Sequence, residues 1–462
     1  MINRVIWARS TSGRGKSPFL CGSNRPLRIT LHTSSFTRAP LEENEAIMAL
    51  RELCNVKHIE ALDTQNGLLP YIKFGTFQKT DNDIHFNIIR EDSITYSYIN
   101  DIQQLNRFVA GIARKNKLSH SERQAVFDDL IILEAHLRLR HDILVTLSIN
   151  LIDNREQSLL RSANPRTPLE TAKIVGLLLR SRGNYIWKAG NNYSRGFNRG
   201  LFYSILARHK LPNMWKYFSA CVKAQEIRGD NILQLGQSIS MRCIRAIEAR
   251  DAIGYRFYTS QNNDTHRAIM YHFDYLTLLL AGAFDAQALV ARHAYKINRY
   301  SERNTSFRRP EFNKALAMNG AEKLYNIITS DSFRNLMILL FELRNTIHSD
   351  AMQNFISNVA KPEEAFVRVL SKHRDLLWKA AERYNSPERW GLVQLHGDIR
   401  LEPYTYAVSL VSECFKYIDA IAYATDITGL FPDGYVVPPL QEKAPDDEIY
   451  SENIRRRIEI LG

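Results

Sequence analysis

The sequence has few cysteines, and neither its cysteines nor its histidines are spaced to bind a metal. The five cysteines lie far apart and include no Cys-x-x-Cys: Cys21, Cys54, Cys221, Cys243 and Cys414. Their odd number and wide spacing argue against a disulfide framework and a thiolate zinc site, and are typical of a reducing compartment. The thirteen histidines contain no His-x-x-x-His. We therefore expect no structural metal and no cofactor.

Long apolar runs are also missing. The longest candidate, Tyr275 to Phe284, is about half of the roughly 18–20 residues that span a bilayer, and it ends at Asp285. A chain of 462 residues that is 45% hydrophobic can bury one large core and has room for two or three. These features predict a globular, cytoplasmic protein with no membrane partner.

Acidic residues are missing from the start of the chain. Residues 1–41 contain seven Lys or Arg and no Asp or Glu, so they carry +7 of the net charge of +12 and leave 12 − 7 = +5 for the rest. This Arg- and Ser-rich composition is typical of a mitochondrial transit peptide, which would place the protein in the mitochondrial matrix. The alternatives are a true start nearer Met48 and a disordered basic tail. Because Gly13, Gly15 and Pro18 interrupt an amphipathic helix, we predict a disordered tail over residues 1–43.

The rest of the chain has mainly helical periodicity. Alternating apolar and β-branched residues between Leu68 and Ile99 predict a β-hairpin or three-stranded meander, whereas the spacing is helical from about Ser119 onward. We predict a mainly α protein with a small N-terminal β segment and a C-terminal helical bundle. The predicted helices span residues 44–66, 121–152, 168–182, 198–210, 213–226, 230–258, 264–298, 311–328, 332–358, 362–384 and 403–428. The predicted segments are a tail (1–43), an α+β segment (44–115), a helical domain (116–258), the bundle (259–430) and a polar tail (431–462).

Acidic residues are missing a second time between residues 171 and 225, where ten Lys or Arg are interleaved with aromatic residues. Cations neutralise phosphates and aromatic faces stack on unpaired bases, so this mixture suits single-stranded RNA. The alternative is that the aromatic residues fill the core and the basic ones form a solvated face. The RNA-binding residues we predict are Arg180, Arg182, Tyr185, Trp187, Lys188, Tyr193, Arg195 and Arg199.

A charged pair interrupts the apolar face of the helix predicted at 332–358. At about 100° per residue, one apolar stripe forms, and Arg344 falls near its middle with His348 one turn later on its shoulder. A guanidinium on a buried face cannot lose its charge, so it requires an anion or a lined cavity. The stripe consists of Phe333, Leu336, Met337, Leu340, Leu343 and Ile347.

The helix predicted at 264–298 is the most apolar of the chain and should be buried centrally. His272 lies near its start, and Asp285 follows the small residues Ala281-Gly282-Ala283. One interpretation makes His272 a hydrogen-bonded core histidine. Another pairs Asp285 or Asp274 with Arg344, which would make the pair structural.

The combination of this apolar helix with Arg344, Asn345 and His348 on a later helix resembles the HEPN superfamily of helical bundles. Three residues separate Arg344 from His348, an interval shorter than the family's usual one, but i to i+4 still places both side chains on one helical face. The resemblance spans roughly residues 260–430. It implies a metal-independent endoribonuclease of toxin or antiviral defence, whose composite site forms by homodimerisation.

The resemblance also implies a role for each residue. Arg344 would hold phosphoryl oxygens, His348 would act as acid or base on a ribose 2′-OH, and Asn345 would position them, with His272 and Asp285 in support. The alternative is a non-catalytic helical scaffold in which Arg344 forms an internal ion pair.

Overall fold

The computed structural model describes residues 26–53, 59–63, 73–79, 83–90, 93–101, 107, 109–111, 114, 118–153, 160, 163–185, 198–229, 231–259, 262–349, 353–356, 365–369, 371–395, 398–442 and 460. The chain forms two compact units. Unit 1 comprises Met1–Gly196, Tyr258–Ser260 and Arg457–Gly462, and unit 2 comprises Phe197–Phe257 and Gln261–Arg456.

Unit 1 is built on a seven-stranded mixed sheet in the order β5-β4-β3-β2-β1-β6-β7. Neighbouring strands from β3 to β7 in this order pair in parallel, whereas β4 pairs antiparallel with both β3 and β5. The strands are β1 (Leu27–Leu31), β2 (Ile59–Asp63), β3 (Lys73–Lys79), β4 (Asp83–Arg90), β5 (Ser93–Asp101), β6 (Ile143–Val145) and β7 (Pro165–Arg166). The described residues of β1 and β6 are almost fully buried, as expected for parallel strands covered on both faces.

The helices described in unit 1 are α1 (Leu41–Leu53), α2 (His120–Leu139), α3 (Ile149–Ile152) and α4 (Pro168–Ser181). Reciprocal capping boxes define two of their starts. Ser119 and Glu122 cap α2, and Thr167 and Glu170 cap α4, satisfying backbone N–H groups that the first turn leaves without a helical partner. The start of α4 at Pro168 agrees with the helix predicted at 168–182.

Unit 2 is a helical bundle with a small antiparallel sheet. The long neighbours α7 and α8 pack along one another, α13 packs against both, and α11 packs against α8 and α12. The helices are α5 (Arg199–Lys210), α6 (Met214–Arg228), α7 (Ile232–Phe257), α8 (Asn263–Ala294), α9 (Pro310–Met318), α10 (Glu322–Ile328), α11 (Asp331–Ser349), α12 (Ser371–Tyr384) and α13 (Pro403–Ala424). The sheet has the order β10-β11-β9-β8 and consists of β8 (Gln353–Ile356), β9 (Ala365–Arg368), β10 (Leu392–Leu395) and β11 (Asp398–Leu401).

The mainly helical fold is confirmed, and β3, β4 and β5 form the predicted three-stranded meander. The sheet around the meander is larger than the sequence predicted. In particular, β1 lies inside the segment predicted as a disordered tail (1–43), yet it occupies a central position in the sheet. The sequence did not indicate this strand, because its five residues lie in a basic, Ser-rich segment. The predicted tail is wrong from Leu27 onward. Residues 1–25 lie outside the described residues.

Short strands interrupt four of the predicted helices. In the range 121–152, α2 ends at Arg140, whose φ of 52° is left-handed, and β6 follows. In the ranges 44–66, 332–358 and 362–384, the strands β2, β8 and β9 occupy residues predicted as helix. An apolar run of three or four residues has no periodicity of its own, so flanking helical patterns extend over it.

The two units divide the chain differently from the predicted segments. The boundary near residue 196 falls within the helical domain predicted at 116–258. The polar tail predicted at 431–462 is described only in part. Phe431 is 3% exposed, and Asp433 and Glu442 form ion pairs with Lys296 and Lys216 of unit 2, so this beginning of the segment packs on the bundle.

Among the described helices, α8 alone is long and apolar enough to cross a membrane, and 67% of its apolar stretch is buried inside the protein. Such burial is what a central helix of a bundle requires, because its partners cover its whole circumference. α8 therefore provides the central framework on which the site residues of unit 2 are arranged.

Candidate functional site

Helix α11 places Arg344 at the margin of a buried apolar stripe. Five members of the predicted stripe are buried: Phe333, Leu336, Met337, Leu340 and Leu343. The side chain of Ile347, the sixth, lies outside the described residues. Arg344 and Asn345 are half-buried, and α11 extends through His348, whose side chain is also outside the described part of the chain.

The Arg344 guanidinium is held by its neighbour. Its Nη1 donates to Oδ1 of Asn345 at 3.3 Å. Among the described residues, no carboxylate lies within 4.0 Å of the guanidinium. Arg344 is therefore neither sealed in a dry core nor matched by a close ion pair.

Three arginines surround Asp285 on α8. Desolvation raises the pKa of Asp285 above its usual range, while the charges of Arg344, Arg308 and Arg242 act in the opposite direction. Among the described residues, no guanidinium lies within 4.0 Å of the Asp285 carboxylate, so these charges act on it without a contact ion pair. We call Arg242, Arg308 and Arg344, together with Asp285, the arginine cluster.

The absence of a side chain at Gly282 leaves the space that the Arg242 guanidinium occupies in the cluster. A Cβ at Gly282 would lie 2.1 Å from Nη1 and 2.6 Å from Cζ of Arg242, so the guanidinium lies directly on the backbone of α8. Gly282 is three residues before Asp285 and therefore lies one turn away on the same helical face. The Arg242 Nε also donates to Oγ of Ser238 at 3.0 Å, which fixes the side chain from its own helix α7.

The third cation, Arg308, connects the arginine cluster to a second carboxylate. Its guanidinium carbon lies 4.2 Å from the centroid of the Phe341 ring, a cation–π distance. Desolvation has the largest effect on the pKa of Arg308 and lowers it. The carboxylates of Asp285 and Glu342 act to raise this pKa, and the charge of Arg344 acts to lower it. Glu342 is in turn 2.6 Å from Nδ1 of His373 on α12.

Arg308 and Glu342 also line a groove of about 410 Å³ in unit 2. The groove combines aromatic side chains with two further cations, Lys314 and Arg334. Its apolar and aromatic lining includes Phe307, Tyr325, Phe333, Met337 and Phe341. A groove with both aromatic walls and cations beside an arginine cluster is suited to a planar, anionic ligand.

The chain matches no protein-family model, no curated protein and no solved structure. The role of the arginine cluster therefore rests on its own charges. The charges of all three guanidinium groups act on Asp285, and the charge of Glu342 acts on Arg308, so three cations and two carboxylates leave 3 − 2, or one, positive charge in excess. A phosphodiester carries one negative charge, and guanidinium groups bind its oxygens with paired N–H donors.

His272 does not belong to this site, contrary to the predicted supporting role. It lies thirteen residues before Asp285 on α8, about 20 Å away along the helix axis. Desolvation lowers the pKa of His272, and the charges of Arg256 and Arg199 lower it further. Asp274, the other carboxylate considered as a partner for Arg344, has a buried Oδ1 without a hydrogen-bond partner among the described residues, and desolvation raises its pKa to about 6.

The predicted RNA-binding stretch is divided between the two units. Arg180 on α4 is only 6% exposed, so its predicted contact with RNA is not compatible with this structure. Arg182 and Tyr185 are half-buried in unit 1, whereas Arg199 in unit 2 is exposed and pairs with Glu248 at 3.0 Å. Trp187, Lys188, Tyr193 and Arg195 lie outside the described residues.

Sequence patterns alone did not indicate Arg242, Arg308, Glu342 or His373 as site residues. They come from different elements, and only the packing of α7 and α11 against α8, and of α12 against α11, brings them together. The one local signal was the run of small residues around Gly282. Within the described part of the chain, no group of three or more His, Cys, Asp or Glu side chains is placed to hold a metal ion.

Proposed function

We propose that this protein acts on RNA as a HEPN-like, metal-independent ribonuclease, with the arginine cluster as its phosphate site. The observation that carries the proposal is the excess of guanidinium groups around Asp285, with Arg344 half-buried and lacking a close carboxylate among the described residues. The resemblance of Arg344, Asn345 and His348 to the family motif supports the same assignment.

The chemistry requires only groups that the cluster and α11 supply. Arg344, helped by Arg242 and Arg308, would hold the non-bridging oxygens of the scissile phosphate and stabilise the charge that develops on them. His348, one turn after Arg344, would remove the proton from the ribose 2′-OH as that oxygen attacks the phosphorus. The bond between the phosphorus and the 5′ oxygen breaks, the 5′ oxygen takes a proton from water, and His348 releases its proton to the solvent. The products are a 2′,3′-cyclic phosphate and a 5′-hydroxyl.

The adjacent groove extends the site beyond the phosphate. Its aromatic lining would receive an unpaired base next to the held phosphate, which favours single-stranded RNA as the substrate. In this proposal the active form is a homodimer in which α11 of each copy contributes to a shared site. A role in toxin or antiviral defence in the cytoplasm follows from the same resemblance.

The direct test is cleavage of a fluorescent single-stranded RNA in excess EDTA. The wild-type chain should cleave it, because no step depends on a metal. Arg344→Ala and His348→Ala should each reduce the rate by about 100-fold, the usual effect of removing a charge-stabilising donor or a general base. Circular dichroism of each variant checks that it remains folded, and Arg344→Lys replaces Arg344→Ala if the alanine variant unfolds.

Matched controls remove the same residue types elsewhere in unit 2. Arg267→Ala deletes an exposed arginine on α8 about 27 Å along the axis from Asp285, and His272→Ala deletes a histidine outside the cluster. Both should cleave at the wild-type rate. Equal rates in the wild type, Arg344→Ala and His348→Ala would remove the site assignment.

A second candidate function, a non-catalytic scaffold, is favoured by the position of Asp285 beside Arg344. In that case the cluster would be an internal charge network that orients α8 against α11. Arg344→Ala would then lower the unfolding midpoint of the bundle, and neither the wild type nor any variant would cleave or bind RNA.

A further inference from the structure

Unit 1 contains a crevice of the kind in which open parallel sheets bind ligands. Its parallel strands stand in the order β3-β2-β1-β6-β7, so the chain leaves β1 towards β2 on one side and β6 lies on the other. Connections diverge at such a point, which leaves a crevice outside the carboxyl ends of the two central strands. His32 directly follows β1, and Thr146 directly follows β6.

A buried hydrogen-bond network joins these two strand ends. His32 Nδ1 is 2.9 Å from Oγ1 of Thr146 and 3.8 Å from Oδ1 of Asp129, a residue of α2. Ser148 Oγ donates to Oδ2 of Asp129 at 2.6 Å, and the Ser148 N–H donates to Oγ1 of Thr146 at 3.0 Å. His32, Asp129 and Thr146 are 2%, 4% and 0% exposed.

The network places the proton of His32 on Nδ1. Ser35 uses its hydroxyl hydrogen to donate to the His32 carbonyl at 2.6 Å, so the Ser35–Thr146 contact of 3.4 Å requires the Thr146 hydroxyl to donate. Thr146 then has only lone pairs to offer, and Nδ1 must be the donor. The carboxylate of Asp129 on the same side favours the same tautomer.

Nε2 of His32 is consequently an acceptor, and it has no hydrogen-bond partner among the described residues. Two described residues at this edge of the sheet are in contact with solvent, since Ser34 is exposed and Ile149 is 66% exposed. An acceptor such as Nε2 that has no partner lowers the stability of a folded protein, so the core gains nothing from it. A ligand hydroxyl at this strand end would satisfy the acceptor.

We propose that this crevice binds the vicinal hydroxyls of a ribosyl group, with one hydroxyl donating to Nε2 of His32. Among the described residues, no Lys or Arg takes part in the network. The turn after β1 carries His32, Thr33, Ser34 and Ser35 instead of the glycines that let a pyrophosphate approach the backbone. These features favour a neutral hydroxyl face over a phosphate. The site is separate from the arginine cluster and does not depend on the proposed ribonuclease activity.

Calorimetric titration of the full chain with adenosine, uridine, 2′-deoxyadenosine and D-ribose tests the proposal. Adenosine and uridine should bind with a Kd of about 1 mM or tighter, and 2′-deoxyadenosine should bind about tenfold more weakly because it lacks one hydroxyl. D-ribose binding as tightly as adenosine would identify a free sugar as the source of the hydroxyls, and weaker binding would identify a nucleoside.

Two variants separate the site from general effects of histidine removal. His32→Asn keeps an N–H donor facing Thr146 but has no group at the Nε2 position, so it should lose adenosine binding. His136→Asn replaces another buried histidine of unit 1, which contacts Thr30 through Nδ1 at 3.1 Å, and should retain it.

A direct measurement on His32 serves if His32→Asn does not fold. In the wild type labelled with ¹⁵N-histidine, adenosine should shift the Nε2 resonance of His32 and leave that of His136 unchanged. The proposal is overturned if none of the four compounds binds the wild type, if His32→Asn binds adenosine as tightly as the wild type, or if the His32 resonance does not move.

Discussion

A guanidinium keeps its charge wherever the chain places it, so Arg344 imposes a requirement on everything packed around it. The structure meets this requirement only in part. Asn345 accepts one hydrogen bond from Arg344, and Asp285 attracts Arg344 without contacting it. The remaining donors of Arg344, Arg308 and Arg242 are what an approaching phosphate oxygen would use.

Gly282→Ala tests the cluster at a single residue. Alanine is a better helix former than glycine by about 1 kcal/mol, so the free energy of unfolding should stay the same or rise. The new Cβ would occupy the position of the Arg242 guanidinium, which lies at the far end of a flexible side chain and can swing away. RNA affinity measured by fluorescence anisotropy should therefore fall about tenfold, the contribution of one charge-assisted contact. Unchanged affinity would show that Arg242 takes no part in binding.

At the level of single residues, the sequence located Arg344 because its position breaks an apolar stripe on one helix. It could not locate Arg242 or Arg308, since each is an ordinary arginine on its own element. Arg180 shows the opposite error, a residue that the sequence indicated and the structure excludes. An acid-free stretch made it a candidate for RNA contact, but α4 buries it.

The elements that the sequence predicted well are helices that have a distinctive first residue and keep a helical spacing of apolar residues over their whole length. α4 begins at Pro168, the predicted start, and α7, α8 and α13 lie within a few residues of their predicted ranges. The single helix predicted at 311–328 is two helices, because Gly320 between α9 and α10 has a φ of 82° that ends the first. Strands of two to five residues carried too little pattern to be detected.

The packing of α7 against the start of α13 makes a prediction for two helical glycines. A Cβ at Gly254 on α7 would lie 2.4 Å from Cε2 of Tyr404, whose ring is held in the interface, whereas a Cβ at Gly200 on α5 has only one neighbour at 3.7 Å. Gly254→Ala should therefore lower the free energy of unfolding by about 1–3 kcal/mol, and Gly200→Ala should leave it unchanged or raise it by up to about 1 kcal/mol. Urea denaturation followed by circular dichroism measures both. If the two variants have equal free energies of unfolding, the packing of α7 against α13 accommodates the added methyl group and the prediction is contradicted.

For the whole molecule, two buried groups in unit 1 respond to pH in opposite directions. Burial raises the pKa of Asp129 to about 6, so between its ordinary pKa of 3.8 and that value the folded state holds a proton that the unfolded state has lost, and this contribution to stability falls as the pH rises. Burial lowers the pKa of His32 from 6.5 to about 4, so over that interval the unfolded state holds the extra proton and stability rises with pH. The two effects largely cancel.

Asp129→Asn removes one side of this balance. On acidification from about pH 6.5 to about pH 4.5, the variant should lose stability more steeply than the wild type, because only the effect of His32 remains. Hydrogen exchange of peptides covering β1 and β6, corrected for the intrinsic rate at each pH, measures the difference. An exposed carboxylate elsewhere in unit 1 provides the control, since Glu42→Gln on α1 should follow the wild-type profile. If the stability of Asp129→Asn and that of the wild type depend on pH in the same way, the effects of Asp129 and His32 do not cancel as described.

The two-unit organisation was the least predictable level. The sequence predicted a helical bundle, and unit 2 is one, but it did not predict the parallel strands of unit 1. β1, β2, β6 and β7 pair across long intervals of the chain, and a pairing of that kind leaves no local periodicity to read. The candidate crevice beside His32 therefore appears only in three dimensions.

The salt dependence of RNA binding tests the central claim, that a phosphate reaches Arg344, most directly. Titrations of a labelled single-stranded RNA at several salt concentrations give the slope of log affinity against log salt, whose magnitude is about 0.7 for each phosphate of a single strand that the protein neutralises. Arg344→Ala should bind more weakly than the wild type with a slope smaller by about that amount, whereas Arg267→Ala should match the wild type. Identical affinity and slope for Arg344→Ala and the wild type would contradict the account.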